Sequence, residues 1–371
     1  MAETPASPRS GGNDTAFWLA VSSVPYIGPV RIERLLTRFH TLEAAWSADA
    51  HDLRTVLDGR ALTALLDARG RGDPVRELAR LQERGIAVYC PADTGYPRLL
   101  AEISGRPPIL YCRGQLLPED EVAVGIVGTR RATPYGRQAA QEISNVLAAA
   151  RVTVVSGLAR GVDAAAHRAA LHAGGRTIAV LGSGVDVIYP GEHRQLAEQI
   201  QASGAIVSEL PPDAKPDAQN FPARNRIISG MSLGVAVIEA PMRSGALITA
   251  TFAADQGREV FVVPGNVFAA SSEGSNALLR DGARIVRNGE DILEDLQLRE
   301  VNGARTMQTA LPLDLDPDEM AIFEKLGADP LHVDELAEAT GLSAMKLNAL
   351  LMTMELKSLV RNHGMQYYGR R

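Results

Sequence analysis

The sequence predicts an α/β protein whose central domain is a Rossmann-like, doubly wound parallel sheet. Between residues 122 and 287, seven short apolar runs rich in β-branched residues alternate with amphipathic helical stretches. Buried strands of a parallel sheet have this continuous apolar character, and helices connect them. The strand runs are VAVGIVG, VTVVSG, TIAVLG, AIVSE, GVAVIEA, EVFVVPG and ARIV. Helical patterns between them include GRQAAQEISNVLAAA, DAAAHRAALHAG and EHRQLAEQIQAS.

Changes in composition and in the spacing of apolar residues predict further segments before and after the central domain in the chain. Residues 1–15 carry no apolar run and are predicted to form a disordered tail. Residues 16–85 repeat apolar residues at three- and four-residue spacing, which indicates a helical domain, and the central domain is assigned to residues 86–300. Residues 301–317 lack periodicity and contain Gly and Pro, so we predict a linker. Residues 318–371 form a small helical unit that ends in two short strand-like pieces.

Composition restricts the class of protein. Apolar residues make up 46% of the chain and charged residues 22%, as in globular proteins, and no apolar run approaches the roughly 20 residues that span a bilayer. A net charge of −6 argues against a protein that coats nucleic acid with its whole surface, but it allows a local basic groove. The N-terminus lacks a signal-peptide core, and Cys90 and Cys112 lack metal-site spacing. We therefore expect a cytoplasmic protein without membrane association, disulfides or metal.

Four strands of the predicted sheet end in Gly-rich turns, and ligands of open α/β sheets bind at such strand ends. Glycine lets the backbone approach a ligand closely, and the N-termini of following helices direct N–H groups at anions. Neither the GxGxxG dinucleotide fingerprint nor a P-loop is present, so no cofactor is expected. We therefore expect the ligand to be a phosphate group, as part of a nucleotide or of a nucleic-acid strand. The turns are IVGTRRATPYG, VSGLARGVDAAAH, LGSGVDVIYPG and VPGN.

Arginine residues lie in or beside these turns, and guanidinium groups bind phosphate oxygens in a bidentate geometry. Several arginines around one rim favour a track for a strand over a pocket for a single phosphate. Phe221 and Tyr189 are candidates to stack on bases, with burial in the core as the alternative interpretation. The arginines are Arg130, Arg131, Arg160, Arg194, Arg224 and Arg226.

Catalysis is the competing interpretation of the same region. Asp163 and His167 lie four residues apart at the start of one predicted helix, where they share a face and could transfer a proton. A helix-capping Asp and a hydrogen-bonded core His explain the same spacing. Glu239 ends a strand beside a phosphate loop, which would suit glycosidic chemistry on a nucleotide, but no second acid stands in a comparable loop. We therefore predict no catalytic residues.

The central domain resembles the DprA/Smf family of DNA-processing proteins. The resemblance is dense over about residues 90–290 and extends to the flanking domains by architecture. Each matching string is short, but the set is highly specific. The strings are YPRLL, PPILYCRG, IVGTRRATPYG, SGLARGVDAAAH, TIAVLGSGVDVIYP, SELPP, FPARNRIISG, VIEAPMRSGALITA, ADQGREVFVVPG and GSNALLRDGA.

The resemblance implies a non-enzymatic protein that binds and protects single-stranded DNA and loads RecA onto it, in natural transformation and homologous recombination. It also implies displacement of single-strand-binding protein and a homodimer formed through the Rossmann-like domain. One departure stands out, because Gly191 and Glu192 follow Tyr-Pro where family members often carry Lys or Arg. Arg194 is the candidate to supply that charge. The residues that carry over from the family motifs are Gly128, Thr129, Arg130, Ser156, Gly157, Arg224, Asn225 and Arg226.

The family's fold also resembles that of nucleotide-processing phosphoribohydrolases, which makes a nucleotide-binding enzyme or nucleotide sensor the alternative function. Those enzymes carry a PGGxGT string with a following Glu. VIEAPMRSGALITA stands in the comparable place and lacks it. This difference weighs against hydrolysis.

Both flanking domains resemble DNA-binding modules. VPYIGPVRIERLLTRF resembles a SAM or helix-hairpin-helix domain, although Tyr26 replaces the first hairpin Gly and Pro29 has no N–H to donate. HVDELAEA, the TGLS turn, AMKLNALLMTMEL and SLVRNHGMQYYGR resemble a winged helix. The acidic residues around this unit predict weak or no duplex binding, because DNA affinity depends on charge neutralisation.

Overall fold

A computed structural model describes residues 13–298, 316–326, 331–356, 359–364 and 366–370, which form two compact units. The first unit contains the helical N-terminal region and the sheet, and the second contains the C-terminal residues. Residues 1–12 of the predicted tail and most of the predicted linker lie outside the described residues. The first helix begins at Asn13, so the last three residues assigned to the tail are helical. The other proposed domain boundaries stay predictions.

The first unit is built on a nine-stranded sheet that is mostly parallel. Its strand order is β1-β2-β6-β5-β4-β3-β7-β8-β9, with β3 to β9 parallel and β1 and β2 added antiparallel at one edge. All seven predicted strand runs are strands. The strands are β1 Ala87–Tyr89, β2 Leu110–Gly114, β3 Ala123–Val127, β4 Thr153–Ser156, β5 Thr177–Val180, β6 Ala205–Ser208, β7 Gly234–Val237, β8 Glu259–Val262 and β9 Arg284–Ile285.

Helices cover both faces of the sheet, as the doubly wound prediction requires. Val124 and Ile126 of β3 face an apolar core formed with helices on one side, and Ala123 and Val127 face a second core on the other. The order of the strands reverses at β3, where β4 lies on one side and β7 on the other. The connecting helices are α7 Arg98–Glu102, α8 Pro134–Ala149, α9 Val162–His172, α10 Arg194–Ser203, α11 Asn220–Gly230, α12 Gly245–Asp255, α13 Glu273–Arg280 and α14 Gly289–Asp295.

The N-terminal region is helical, as predicted, and it shares an apolar core with the sheet. Trp18, Leu35 and Leu65 from the helices are buried in one cluster with Ala179 of β5 and Ile206 of β6. The helices therefore stabilise one side of the sheet through direct apolar contact. They are α1 Asn13–Ser22, α2 Pro29–Phe39, α3 Leu42–Ser47, α4 Ala50–Leu53, α5 Gly59–Arg71 and α6 Pro74–Glu83.

The second unit has the helix-turn-helix and wing that the sequence predicts. Its helices are α15 Pro317–Lys325, α16 Val333–Thr340 and α17 Ala344–Leu356, and its strands are β10 Leu331–His332, β11 Val360–Gly364 and β12 Tyr367–Arg370. The strands pair in the order β10-β12-β11. Gly341 ends α16 in the left-handed conformation, which allows the tight turn into α17. The ammonium group of Lys346 on α17 is paired with Asp318.

No helix within the described residues is long and apolar enough to cross a membrane.

The shared core predicts that the N-terminal helices and the sheet unfold together. Both tryptophans of the chain, Trp18 and Trp46, lie in the helices, so their fluorescence reports only on that region. Ile206→Ala removes buried methyl groups from β6 and is expected to shift the denaturant midpoint of the fluorescence transition by an amount equivalent to about 2–5 kcal/mol.

The matched control is Leu347→Ala, which alters the core of the second unit and should leave the tryptophan transition in place. An unchanged fluorescence midpoint in Ile206→Ala would show that the helices unfold independently of the sheet.

Candidate nucleic-acid interface

An open crevice of about 720 Å³ lies at the carboxyl ends of the strands, at the point where the strand order reverses. Open α/β sheets bind ligands at this point, because the loops after the two central strands diverge to opposite faces of the sheet. We call it the arginine crevice. Its lining includes Gly128, Thr129, Arg130, Arg131, Asp163, Tyr189, Phe221, Arg224, Asn225, Arg243, Ser244, Gly245 and Ile248.

The loop after β3 is held rigidly on the backbone of its neighbours. Thr129 donates its N–H to the backbone oxygen of Glu239 at 2.7 Å, and its own carbonyl accepts from the N–H of Val162 at 3.3 Å. A Cβ on Gly128 would lie 2.6 Å from Cγ2 of Val162, so only glycine allows this close approach to α9. These contacts hold the loop against its neighbours and leave the side chains of Arg130 and Arg131 exposed.

Glu239, the candidate catalytic acid, is a structural residue of this loop. Its side chain is buried, and Oε2 accepts the N–H of Thr133 at 2.9 Å and the Thr133 hydroxyl at 3.3 Å. Thr133 in turn caps α8 by accepting the N–H of Gly136. The carboxylate thus joins the loop after β7 to the start of α8.

Arg224 is buried, and its guanidinium joins the ends of two strands. Its guanidinium donates to the backbone oxygens of Gly157, at 2.8 Å, and of Val180, at the ends of β4 and β5. Burial lowers the pKa of Arg224 to about 10, and the nearby Asp163 carboxylate opposes this shift. Arg224 thus holds two strand ends together, and because it also lines the crevice its contact with a phosphate stays a prediction.

Phe221 lies at the centre of the crevice among charged and aromatic groups. The guanidinium carbon of Arg130 is 5.3 Å from the centroid of the Phe221 ring, and that of Arg224 is 5.9 Å away. The Tyr189 ring lies 5.9 Å from Phe221 with a tilt of 42°. The structure thus brings both predicted stacking residues together, with a cation beside them.

The predicted arginines fall into distinct groups. Arg160 forms a two-point ion pair with Glu192, with both N···O distances at 2.8 Å. Arg226 is paired in the same way with Glu209, at 2.8 and 2.6 Å. Arg194 is exposed at the start of α10 and does not line the crevice.

Arg130 and Arg131 are different, because neither forms an ion pair within the part of the chain that the structure describes. Arg243, which the sequence analysis did not single out, has the same property and lines the crevice from the loop after β7. Arg243 belongs to the string VIEAPMRSGALITA, which resembles the family. That string does not reveal that β7 pairs with β3, which is what brings Arg243 to the crevice. These three side chains supply the accessible positive charge of the crevice.

The remaining predicted site residues have mixed positions. Asn225 lines the crevice, and its side-chain amide donates to the backbone oxygen of Gly245 at 3.2 Å. Ser156 is fully buried and donates its hydroxyl to the backbone oxygen of Ile126 at 2.6 Å. Gly157 supports Arg224, since a Cβ there would lie 2.6 Å from Nη2 of that residue. Ser156 and Gly157 therefore act beneath the crevice rather than on its surface.

The proposed proton-transfer pair has separate structural partners. Asp163 accepts the N–H groups of Gly157 and Ala159 at 3.2 and 3.3 Å, and burial raises its pKa. Nδ1 of His167 lies 2.7 Å from the Thr177 hydroxyl, and burial lowers the pKa of this imidazole to about 3. Among the described residues, no cluster of His, Cys, Asp or Glu could hold a metal ion.

The sequence is similar to those of known DNA-processing proteins. The sequence profile described as DNA recombination-mediator protein A matches residues 87–297, and the profile of the DprA winged helix domain matches residues 307–364. Protein Smf from Synechocystis sp. is 38% identical over 96% of this chain and 99% of its own length. Protein Smf from Escherichia coli is 40% identical over 72% of this chain and 73% of its own length.

Solved structures agree as well. DNA processing protein A from Streptococcus pneumoniae is 32% identical with a TM-score of 0.67, and the match covers 76% of this chain and 97% of that one. DNA processing protein A from Helicobacter pylori, a structure concerned with its single-stranded DNA binding mode, is 31% identical with a TM-score of 0.52 over 57% and 95% of the two chains. On the sequence of its central domain, its full-length relatives and its fold, this chain belongs to the DNA recombination-mediator protein A (DprA) family.

Proposed function

We propose that this protein binds single-stranded DNA in the arginine crevice. The observation that carries the proposal is the set of exposed arginines Arg130, Arg131 and Arg243, which line one crevice and have no ion-pair partner among the described residues. Arg130 lies beside the Phe221 ring in the same crevice. Guanidinium groups bind backbone phosphates, and an aromatic ring stacks on any base. The relative from Helicobacter pylori, whose title names single-stranded DNA binding, supports the same ligand.

The distribution of charge favours a strand over a single nucleotide. The three arginines come from the loops after β3 and β7, on both sides of the point where the strand order reverses. Successive phosphates along a strand can meet charges spread in this way, whereas one mononucleotide presents its phosphates at a single place. Binding of this kind is tolerant of base sequence and sensitive to salt.

The alternative function, a phosphoribohydrolase-like enzyme or a nucleotide sensor, is less well supported. Glycosidic chemistry needs an acid that is free to reach the sugar. Glu239 holds the loop before α8, and Asp163 holds the loop after β4. With both carboxylates committed to backbone N–H groups, we propose that the crevice binds its ligand without chemical turnover.

The proposed biological role is to protect single strands and to load RecA onto them, in competition with single-strand-binding protein. The family implies this role, and the crevice offers a mechanism for it. Phosphates are held by arginines, so most bases remain available for the recombinase. We place this action in the cytoplasm, where natural transformation and recombination deliver single strands.

We also propose that two copies of the chain form a homodimer through the Rossmann-like sheet. Strand β9 is an edge strand, and the side chain of Ile285 on it is 60% exposed. An edge strand that exposes an apolar side chain beside unpaired backbone groups can associate with another chain. In a dimer of this kind, two crevices would be available for one or two strands.

Replacing Arg130 by Ala is expected to weaken binding of a single-stranded oligonucleotide about tenfold at low salt, through loss of one phosphate contact. The slope of log affinity against log salt should flatten by about 0.7, whatever the base composition. Fluorescence anisotropy at several salt concentrations measures both quantities.

Arg280→Ala is the matched control. This exposed arginine ends α13 just before β9, near the amino ends of the strands, whereas the crevice lies at their carboxyl ends. Equal affinity and equal slope for Arg130→Ala and the wild type would remove this loop from the site. Saturable hydrolysis of a nucleotide without strand binding would favour the enzyme instead.

RecA loading is expected to depend on the same crevice. On single-stranded DNA covered with single-strand-binding protein, the wild type should shorten the lag before RecA begins to hydrolyse ATP. Arg130→Ala should restore most of the lag at equal protein concentration, whereas Arg280→Ala should behave as the wild type. A lag that the wild type does not change would overturn the loading role and leave the DNA-binding proposal standing.

Light scattering coupled to size exclusion tests the dimer. The wild type is expected near twice the chain mass of 39.6 kDa. Ile285→Arg places a charge on the exposed edge strand and should yield the monomer. The control Val75→Arg alters another exposed apolar residue, on α6, and should remain dimeric. A dimeric Ile285→Arg protein would move the contact to another surface.

A further inference from the structure

An apolar surface lies near the arginine crevice and is formed by loops and by the first turns of helices at the carboxyl ends of the strands. Phe268 is 94% exposed and Val267 is 76% exposed, both in the loop after β8. Monomeric proteins rarely expose contiguous apolar surface without a binding role. We call this surface the apolar rim; its members are Tyr135, Met242, Ile248, Val267 and Phe268.

The loop that carries Phe268 is fixed by hydrogen bonds within the described structure. The N–H of Gly265 donates to Oδ1 of Asn276 at 3.2 Å, and the Asn276 amide donates back to the Gly265 oxygen at 3.1 Å. The N–H of Phe268 donates to Oδ1 of Asn266 at 2.9 Å, and that of Ala269 to the Asn266 oxygen at 3.0 Å. These hydrogen bonds fix the backbone of the turn, and the Phe268 side chain extends from it into solvent.

Hydrogen bonds link the segments that carry the apolar rim to those that form the crevice. The Tyr135 hydroxyl donates to the backbone oxygen of Pro264 at 2.7 Å, which joins the start of α8 to the loop after β8. The N–H of Ser275 donates to the Ala240 oxygen at 3.0 Å, which joins α13 to the loop after β7. Met242 directly precedes Arg243 in sequence, and Ile248 itself lines the crevice.

We propose that the apolar rim is a second binding site for single-stranded DNA, on which bases stack after the strand leaves the arginine crevice. Phe268 is its main contact, and Tyr135, whose hydroxyl donates to the loop that carries Phe268, is the second. This inference rests on the proposed function and extends its footprint beyond the crevice. It assigns the ligand class as unpaired bases, of any sequence, attached to phosphates that Arg131 and Arg243 hold.

The chemistry of the apolar rim favours bases over a second protein surface. Residues 264–272, with the sequence PGNVFAASS, carry no acidic side chain, and the next acidic residue is the exposed Glu273 at the start of α13. The exposed arginines of the crevice lie on the loops after β3 and β7. Met242 lies on the second of these loops, and Tyr135 lies in the first turn of α8, which follows the first loop. Alternating cationic and aromatic groups are the arrangement that holds a single strand without reading its sequence.

The experiment compares two oligonucleotides, one just long enough to fill the crevice and one of about 20 nucleotides that also reaches the apolar rim. Phe268→Ala is expected to bind the short oligonucleotide as the wild type does and the long one about tenfold more weakly. Phe268→Trp should retain affinity for the long oligonucleotide, and its added fluorescence should be quenched by that ligand, because stacking brings a base onto the indole. Tyr26→Ala, which removes an aromatic side chain that is 61% exposed in the N-terminal region, is the matched control and should change neither affinity.

The outcomes separate this inference from the proposed function. If Phe268→Ala binds both oligonucleotides as the wild type does while Arg130→Ala binds neither well, the stacking site is overturned and the crevice stands. If Arg130→Ala also binds normally, both fall. A Phe268→Ala protein whose light-scattering mass changes while its DNA affinity does not would show that the apolar rim contacts a second copy, which also overturns the inference.

Discussion

The buried guanidinium of Arg224 is the interaction on which the architecture of the site depends. A cation inside a protein is stable only when its donors are satisfied and an opposite charge lies near, and losing one partner of a buried pair costs about 3–5 kcal/mol. Arg224 donates from Nη1 to Gly157 and Val180 and from Nε to Asn225, with the Asp163 carboxylate close by. The ends of β4 and β5 and the first turns of α11 are thereby fixed together, and Phe221 is held on the resulting floor.

A second structural charge, the Glu239 carboxylate, fixes the other half of the site. It holds the loop after β3 against the loop after β7, so that Arg130 and Arg243 project from a rigid frame. Preorganised donors lose little conformational entropy when a phosphate binds. Buried charges therefore shape the crevice, and the exposed charges of Arg130 and Arg243, which have no ion-pair partner among the described residues, remain available for a ligand.

This division of charge reconciles an acidic protein with an anionic ligand. The chain has a net charge of −6, but acidic side chains neutralise Arg160 and Arg226 while leaving the crevice arginines accessible. Local potential at the crevice, rather than total charge, governs the approach of a strand. The second unit follows the opposite pattern, because Lys346 on its α17 helix is paired with Asp318. It is therefore a poorer candidate for the main DNA contact.

The sequence by itself determined the fold class, the seven parallel strands, the winged helix and the loops that carry the site, because these follow from local hydrophobic periodicity and turn residues. The sequence did not show that the whole string FPARNRIISG lies within a helix, α11. On α11, Arg224 and Arg226 are two residues apart and therefore about 200° apart around the axis, so one points to the core and the other to Glu209. Only the tertiary structure decided which arginines are free, since the partners of Arg160 and Arg226 lie 32 and 17 residues away. It also brought Arg243 to the crevice, because the position of β7 beside β3 is a property of strand order that no local pattern encodes.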